Sequence, residues 1–351
     1  MVSESFAVGY TSSQSGLFSA TSTWGGAGFP HEDGDTWTIG AAHTVWYDSD
    51  NSAHAGFGNS TLTGTLSITN GLTAHIKMNG NIAGTGSFLI GTEATPIAYS
   101  TDHLTPPVVI QFVAGQVTMT CTNQIKWYAN TNGFNDYITN TMTVAGDSTN
   151  MWFAGNVSNV ASNDVVYIDN QRVQGVAGSV HVVYSVETNR ITLFNAITGS
   201  AATVTNTWFG VVFLGPIATN TRTNGTQVTL LSRPVVVYQP TKISATGVFN
   251  GANTNTLLGV RFTNLGRGTL STRNNWVITS CVGNNNANGG IAYYGSGHVI
   301  TSCVGNNNAN GGIANLGSGH VITSCVGNNN TSGGIAYYGS GHVITSCVGN
   351  N

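Results

Sequence analysis

Acid and base chemistry in this 351-residue chain rests on few side chains. His31, Glu32, Asp33 and Asp35 form the densest cluster, with Asp48 and Asp50 close behind. The carboxylates of Asp33, Asp35, Asp48 and Asp50 are the hard oxygen donors that calcium takes, roughly six to eight at a time. Asp33-Gly34-Asp35 reads equally as a turn ahead of a strand. Asp164 and Asp169 flank Val165-Val166-Tyr167-Ile168 and read as the polar ends of a strand. Calcium is the one cofactor these residues suggest.

Cleaving a glycan needs paired carboxylates, or an acid cluster on calcium with a base nearby. The last acidic residue is Glu187, and the last Lys or Arg is Arg273. Any such site would have to be assembled from the N-terminal part. The chain therefore reads as a non-enzyme, with a polysaccharide lyase or hydrolase as the alternative. Charged residues make up 7% of the chain, against a usual value of about 25%. The basic residues are scattered, too thin to neutralise a nucleic-acid backbone.

The other candidates recur. VITSCVG begins at Val277, Val299, Val321 and Val343, a period of 22 residues. A fixed period means one structural unit per copy, stacked on its neighbours. Three short strands and three turns fill such a unit, the content of one coil of a right-handed parallel β-helix. In-register stacking sets each residue on its copy about 4.8 Å away. Ile278, Ile300, Ile322 and Ile344 form an inward ladder, and Cys281, Cys303, Cys325 and Cys347 a buried thiol ladder. Gly283-Asn284-Asn285-Asn286 forms amide ladders at a turn, and Gly289-Gly290 supplies positive φ at a corner. His298, His320 and His342 stack as a surface row with Trp276 one coil earlier. A straight row converges poorly on a metal. Trp276, Tyr293, Tyr294, Tyr337 and Tyr338 are candidates for stacking on sugar rings.

The elements that must position these residues are strands. Helical periodicity is nearly absent, and short alternating runs such as Thr36-Trp37-Thr38-Ile39 and Val108-Val109-Ile110-Gln111-Phe112 are separated by Gly, Asn, Asp or Pro. The expected fold is all-β: a strand-rich N-terminal domain continuous with a right-handed parallel β-helix of 22-residue coils. The expected division is an arm at 1–20, a β domain with the first coils at 21–240, and regular coils at 241–351.

FSATSTWGGAGFPHEDGDTWTIGAAHTVWYD resembles the opening of many secreted or phage β-solenoid proteins, and LTGTLSITNG followed by GSFLIGTEATPI resembles the eight-glycine (G-eight) domain of fibrocystin-like proteins and cell-surface hyaluronidases. VTLLSRPVVVY and LLGVRFTNLGRG resemble the segments that lead from it into a pectate-lyase-like β-helix. The resemblance implies an extracellular, cell-surface or virion protein. It carries no catalysis over, because the hyaluronidase histidines are missing around Gly268–Trp276 and only Arg273 echoes the motif. The opening MVSESFAVGYTSS lacks the layout of a signal peptide, and no apolar run reaches a membrane span of about 18 residues.

The function expected is that of a structural, adhesive β-solenoid: a fibre, filament, sheath or surface adhesin subunit that binds glycan. A lone threonine column, Thr279, Thr301 and Thr323, argues against an ice-binding face. An open last coil would expose its ladder, and terminal repeats are normally atypical. The last copy is not, so another copy or a capping subunit is expected there, or a chain that continues past Asn351.

Overall fold

The computed structural model describes residues 7–26, 28–101, 103, 105–113, 118–131, 135–137, 139, 150–168, 179–193, 207–208, 211–212, 226–240, 255–265, 274–292, 294–314, 316–336 and 338–350. The fold is a parallel β-helix with an antiparallel sheet inserted into it. The strands predicted at Thr36–Ile39, Val108–Phe112 and Val235–Tyr238 are all present.

Three parallel faces make the solenoid. The first contains Gly9–Thr11, Thr36–Ile39, Ser60–Leu62, Ile82–Gly84 and Met119–Cys121. The second runs from Gly16–Leu17 through Gln124–Tyr128 and Thr256–Leu258 to Val343–Thr345. The third runs from Ala74–Met78 through Val235–Tyr238 to Val348–Asn350. Among the described residues, parallel coiling is thus already present at Gly9. The sequence-derived boundary at 240 falls between two solenoid strands, Val235–Tyr238 and Thr256–Leu258.

Alternation decides what faces inward. In Thr65–Ile68 and Ala74–Met78, every second side chain is buried. The inward set fuses into one core from Phe18 to Cys325, with aromatic rings packed together in its N-terminal part, where Phe18 and Tyr47 ring centroids lie 4.6 Å apart.

The repeats stack in register, Ile278 on Ile300, Ile322 and Ile344. Ile278, Ile300 and Ile322 are fully buried, whereas Ile344 in the last coil is 47% exposed. Each coil has two regular strands rather than three: Val277–Thr279 and Val282–Asn284 in the first copy. The third side is held by single parallel bridges, Ala292 to Ala314 to Ala336. GGIA lacks the run of β-branched residues that favours a longer strand.

The corners differ from expectation too. Positive φ occurs at Ser280 (52°) and Asn285 (59°) and recurs at the same places in later copies. Gly290 is required for a different reason: a Cβ there would lie 2.1 Å from the Gly312 carbonyl oxygen. Successive coils stack so closely at this position that only hydrogen fits.

The amide ladder is real and buried. Leu265 N–H donates to Asn286 Oδ1, Asn286 N–H to Asn308 Oδ1, and Asn308 N–H to Asn330 Oδ1, each at 2.9 Å. The Asn308 amide also donates to Gly283 O at 3.1 Å. Each carboxamide therefore satisfies backbone groups that an apolar side chain would leave orphaned.

The insertion lies between Gln124–Tyr128 and Val235–Tyr238. It is an antiparallel sheet ordered Asn135–Tyr137, Gln227–Leu230, Val165–Ile168, Ser179–Glu187, Arg190–Leu193, Asn150–Trp152. One side forms its own core around Met151, Phe153, Val166, Ile168, Val183, Ile191 and Leu230. The other side, with Val165, Tyr167, Val180 and Leu231, packs on Val282, Val304 and Val326 of the solenoid's third face. Arg233 Nε donates to Ser280 O at 2.9 Å in the first repeat, and the Asn328 amide in the third donates to Gln227 Oε1. The segment from Gln227 to Arg233 thus crosses three coils, roughly along the axis.

Candidate functional site

The acidic cluster is spent on local structure. Asp35 is fully buried and accepts N–H groups from Val8 (2.8 Å), His31 (3.1 Å) and Glu32 (2.9 Å). That is the turn reading of Asp33-Gly34-Asp35. Asp33 accepts from Ala55 N–H, Asp48 from the backbone and hydroxyl of Ser19, and Asp50 from Ser52 N–H. Among the described residues, no three His, Cys, Asp or Glu side chains converge in a way that would hold a metal ion.

The histidine row is internal, not on the surface. His298 and His320 are 0% and 1% exposed, and the rings stack at 4.9 Å (His298 on His320) and 5.0 Å (His320 on His342). Each Nδ1 accepts the backbone N–H one coil back, including Trp276 N–H onto His298 at 3.3 Å. Nδ1 as acceptor puts the proton of the neutral ring on Nε2. Burial lowers the His298 pKa. Burial and the neighbouring imidazoles lower that of His320 to about 4.

Trp276 heads this internal row. It is fully buried in the solenoid core, so it presents no face to a sugar, and its place among the glycan-binding candidates is corrected. The inward phase that buries the histidines buries it too.

The cysteines are free thiols, buried in the first three copies and half-exposed at Cys347. Cys303 Sγ–H donates to Thr301 O at 3.3 Å, and Cys281 N–H donates to Cys303 Sγ at 3.3 Å. The column is a relay of weak hydrogen bonds that packs as small apolar groups do.

Two of the aromatic candidates are on the outside. Tyr294 is 36% and Tyr338 56% exposed. Tyr293 and Tyr337 lie outside the described residues, as do Asp169 and Arg273.

A second group escaped the sequence reading. On the insertion, Trp152 and Tyr184 are exposed, the Arg190 guanidinium sits 5.1 Å from the Trp152 ring centroid, and Arg190 pairs with Glu187. Trp152 and Arg190 face each other across neighbouring antiparallel strands. The guanidinium is held by ring and carboxylate together, which leaves a rigid aromatic surface beside hydrogen-bonding groups. Such surfaces stack on apolar ring faces and bond hydroxyls at the rim. The available signal was the alternation of HVVYSVE and RITL around Thr188-Asn189.

Fold and surface together define a parallel β-helix with exposed aromatics on its repeats and on its insertion. No protein-family model matches the chain, and no curated protein matches it, so the G-eight resemblance stays with the motifs that suggested it. Solved structures do match. One is the tailspike of Acinetobacter baumannii bacteriophage AP22, in complex with A. baumannii capsular saccharide: 11% identity over 81% of this chain and 52% of that one, TM-score 0.21. Another is the tailspike of Pseudomonas phage phi297: 9% identity over 81% of this chain and 50% of that one, TM-score 0.22. The chain spans about half the length of each. Among the described residues, no helix is long and apolar enough to cross a membrane.

Proposed function

We propose that the chain is a structural and adhesive β-solenoid of an extracellular or virion fibre, and that it binds glycan through its exposed aromatic side chains. The observation that carries this reading is the exposure of Tyr184 (58%), Tyr338 (56%) and Trp152 (38%) on a stacked β frame. An exposed aromatic ring offers a flat apolar face on which a sugar ring can stack. The frame is poor in charge, so recognition rests on stacking and neutral hydrogen bonds. In this proposal the ladder exposed at Val343 and Ile344 is covered by a further β layer from another copy or a capping subunit.

The test is a glycan array that includes capsular saccharides. The best ligand is then titrated against Trp152→Ala and Tyr338→Ala. Stacking worth roughly 0.5–1.5 kcal/mol predicts about a two- to tenfold loss for the variant whose ring is used. Absence of any glycan ligand overturns the proposal.

A further inference from the structure

A cavity of about 240 Å³ lies between the loops that precede the solenoid strands Ala74–Met78 and Val108–Phe112, lined by Asn70, Leu72, Thr73, Tyr99, Ser100 and Pro107 among others, and Tyr99 reaches from it to Ser232 of the insertion. None of the described residues that line it is charged. That disfavours phosphate, carboxylate or a metal cation as occupant. Pockets for drug-sized molecules run to roughly 300–1,000 Å³, so this one suits a single small ring.

The Tyr99 ring is fixed from several directions. It lies flat on the His103 imidazole, with centroids 4.9 Å apart and planes within 6°. Its hydroxyl donates to Ser232 O at 3.2 Å. His103 is held in turn: Nδ1 lies 2.9 Å from Asp164 Oδ1, and that carboxylate is 1% exposed. Asp164 Oδ2 accepts Ala161 N–H at 2.8 Å. The loop closes on itself through the Ser100 hydroxyl, which donates to Thr105 O at 2.5 Å, and Asn70 Oδ1 accepts Ala98 N–H at 3.0 Å. An aromatic wall braced by a His–Asp pair loses little freedom when a ligand docks. Prolines and Leu72 give the rest of the apolar lining, while Asn70, Thr73, Ser100 and Thr105 bring amide and hydroxyl groups.

We infer that this cavity is a subsite for one neutral sugar ring of the hexose or N-acetylhexosamine class, with Tyr99 as its stacking wall. The inference rests on the glycan-binding reading above and gives it a specific pocket. The surface aromatics would hold the polymer, and the cavity would select one residue or branch of it.

The test uses the methyl glycosides of glucose, galactose and N-acetylglucosamine, followed by ligand-observed NMR on the whole chain, beside the glycan array. At least one glycoside is expected to bind. Thr73→Trp, a change at an exposed rim position, is expected to weaken it at least tenfold with the melting temperature unchanged. Tyr338→Ala is expected to leave it intact. Tyr99→Ala is the complementary variant and is expected to abolish binding. Array binding without any glycoside binding, or glycoside binding that survives Thr73→Trp, overturns the pocket and leaves the proposed function standing. Failure of both array and glycosides overturns both.

Discussion

Asn308 stands directly over Asn330 inside the solenoid. Its backbone N–H donates to Asn330 Oδ1 at 2.9 Å and its side-chain amide donates to the same oxygen at 3.1 Å. Both residues are buried, so one carboxamide oxygen serves two donors of the coil beside it. Asn330→Leu is isosteric enough to fit yet orphans the Asn308 N–H, while the Asn308 side-chain amide keeps only Gly283 O. A buried donor without a partner costs about 1–3 kcal/mol. Chemical denaturation should give a loss within that range or above it; an unchanged midpoint would count against the ladder.

Glycine at 305 and glycine at 319 do different work. A Cβ at Gly305 would lie 1.9 Å from Gly312 O, whereas a Cβ at Gly319 meets nothing within 4 Å but the backbone has φ 66°. Gly305→Ala forces the two sides of the coil apart and should cost about 3 kcal/mol or more. Gly319→Ala pays only the left-handed backbone penalty, about 1–2 kcal/mol. Thermal melts of the two variants should rank in that order.

Valines five positions apart test which side the insertion covers. Val304 is buried against the inserted sheet and Val299 is 41% exposed. Val304→Asp puts an unpaired charge into that interface and should cost several kcal/mol. Val299→Asp should fall near the surface range of about 0.5 kcal/mol. Equal effects in a denaturation series would mean the interface is misplaced.

The imidazole row makes stability depend on pH. His298 and His320 have folded pKa values below the ordinary histidine value, His320 at about 4. Below about pH 6.5 the unfolded chain takes up protons that the folded chain refuses. Stability is therefore constant above that value, falls as pH drops through 6.5, and stops falling from this source near pH 4, where His320 itself protonates. Melting temperatures at pH 7.5, 6, 5 and 4 should trace that slope, and His320→Asn should make it shallower, with His298 and His75 still contributing.

Thiol labelling should follow depth. Cys121, Cys281, Cys303 and Cys325 are buried and Cys347 is half-exposed. Iodoacetamide on the folded protein should modify Cys347 alone, with all five labelled after denaturation, as read by peptide mass spectrometry. Rapid native labelling of Cys303 would mean the coils open far more readily than their packing implies.

The period was the most legible feature. Identical spacing gives near-identical environments, so Ile278 and Cys281 read as inward residues from the repeat alone. Alternation located the early strands for the same reason. What escaped notice depends on contacts distant in the chain. Gly290 looked like a turn residue because a close approach to Gly312 leaves no mark on local sequence. His298 looked solvated because imidazole is polar, but the stack gives its Nδ1 a backbone partner and removes the need for water. The insertion was read through as more of the same, since antiparallel and parallel strands share one alternation. Tyr99, His103 and Asp164 meet only because the inserted sheet folds back on the solenoid.

The course of Gln227 to Arg233 across three coils has a mechanical consequence. In a bare solenoid, neighbouring coils are joined along the axis mainly by hydrogen bonds and side-chain stacking, which a tensile load could peel apart layer by layer. Here a covalent backbone segment lies along the direction of pull and is anchored at Ser280 and at Asn328. Stretching that part of the rod would have to shear those anchors together, so the insertion acts as a splint against extension.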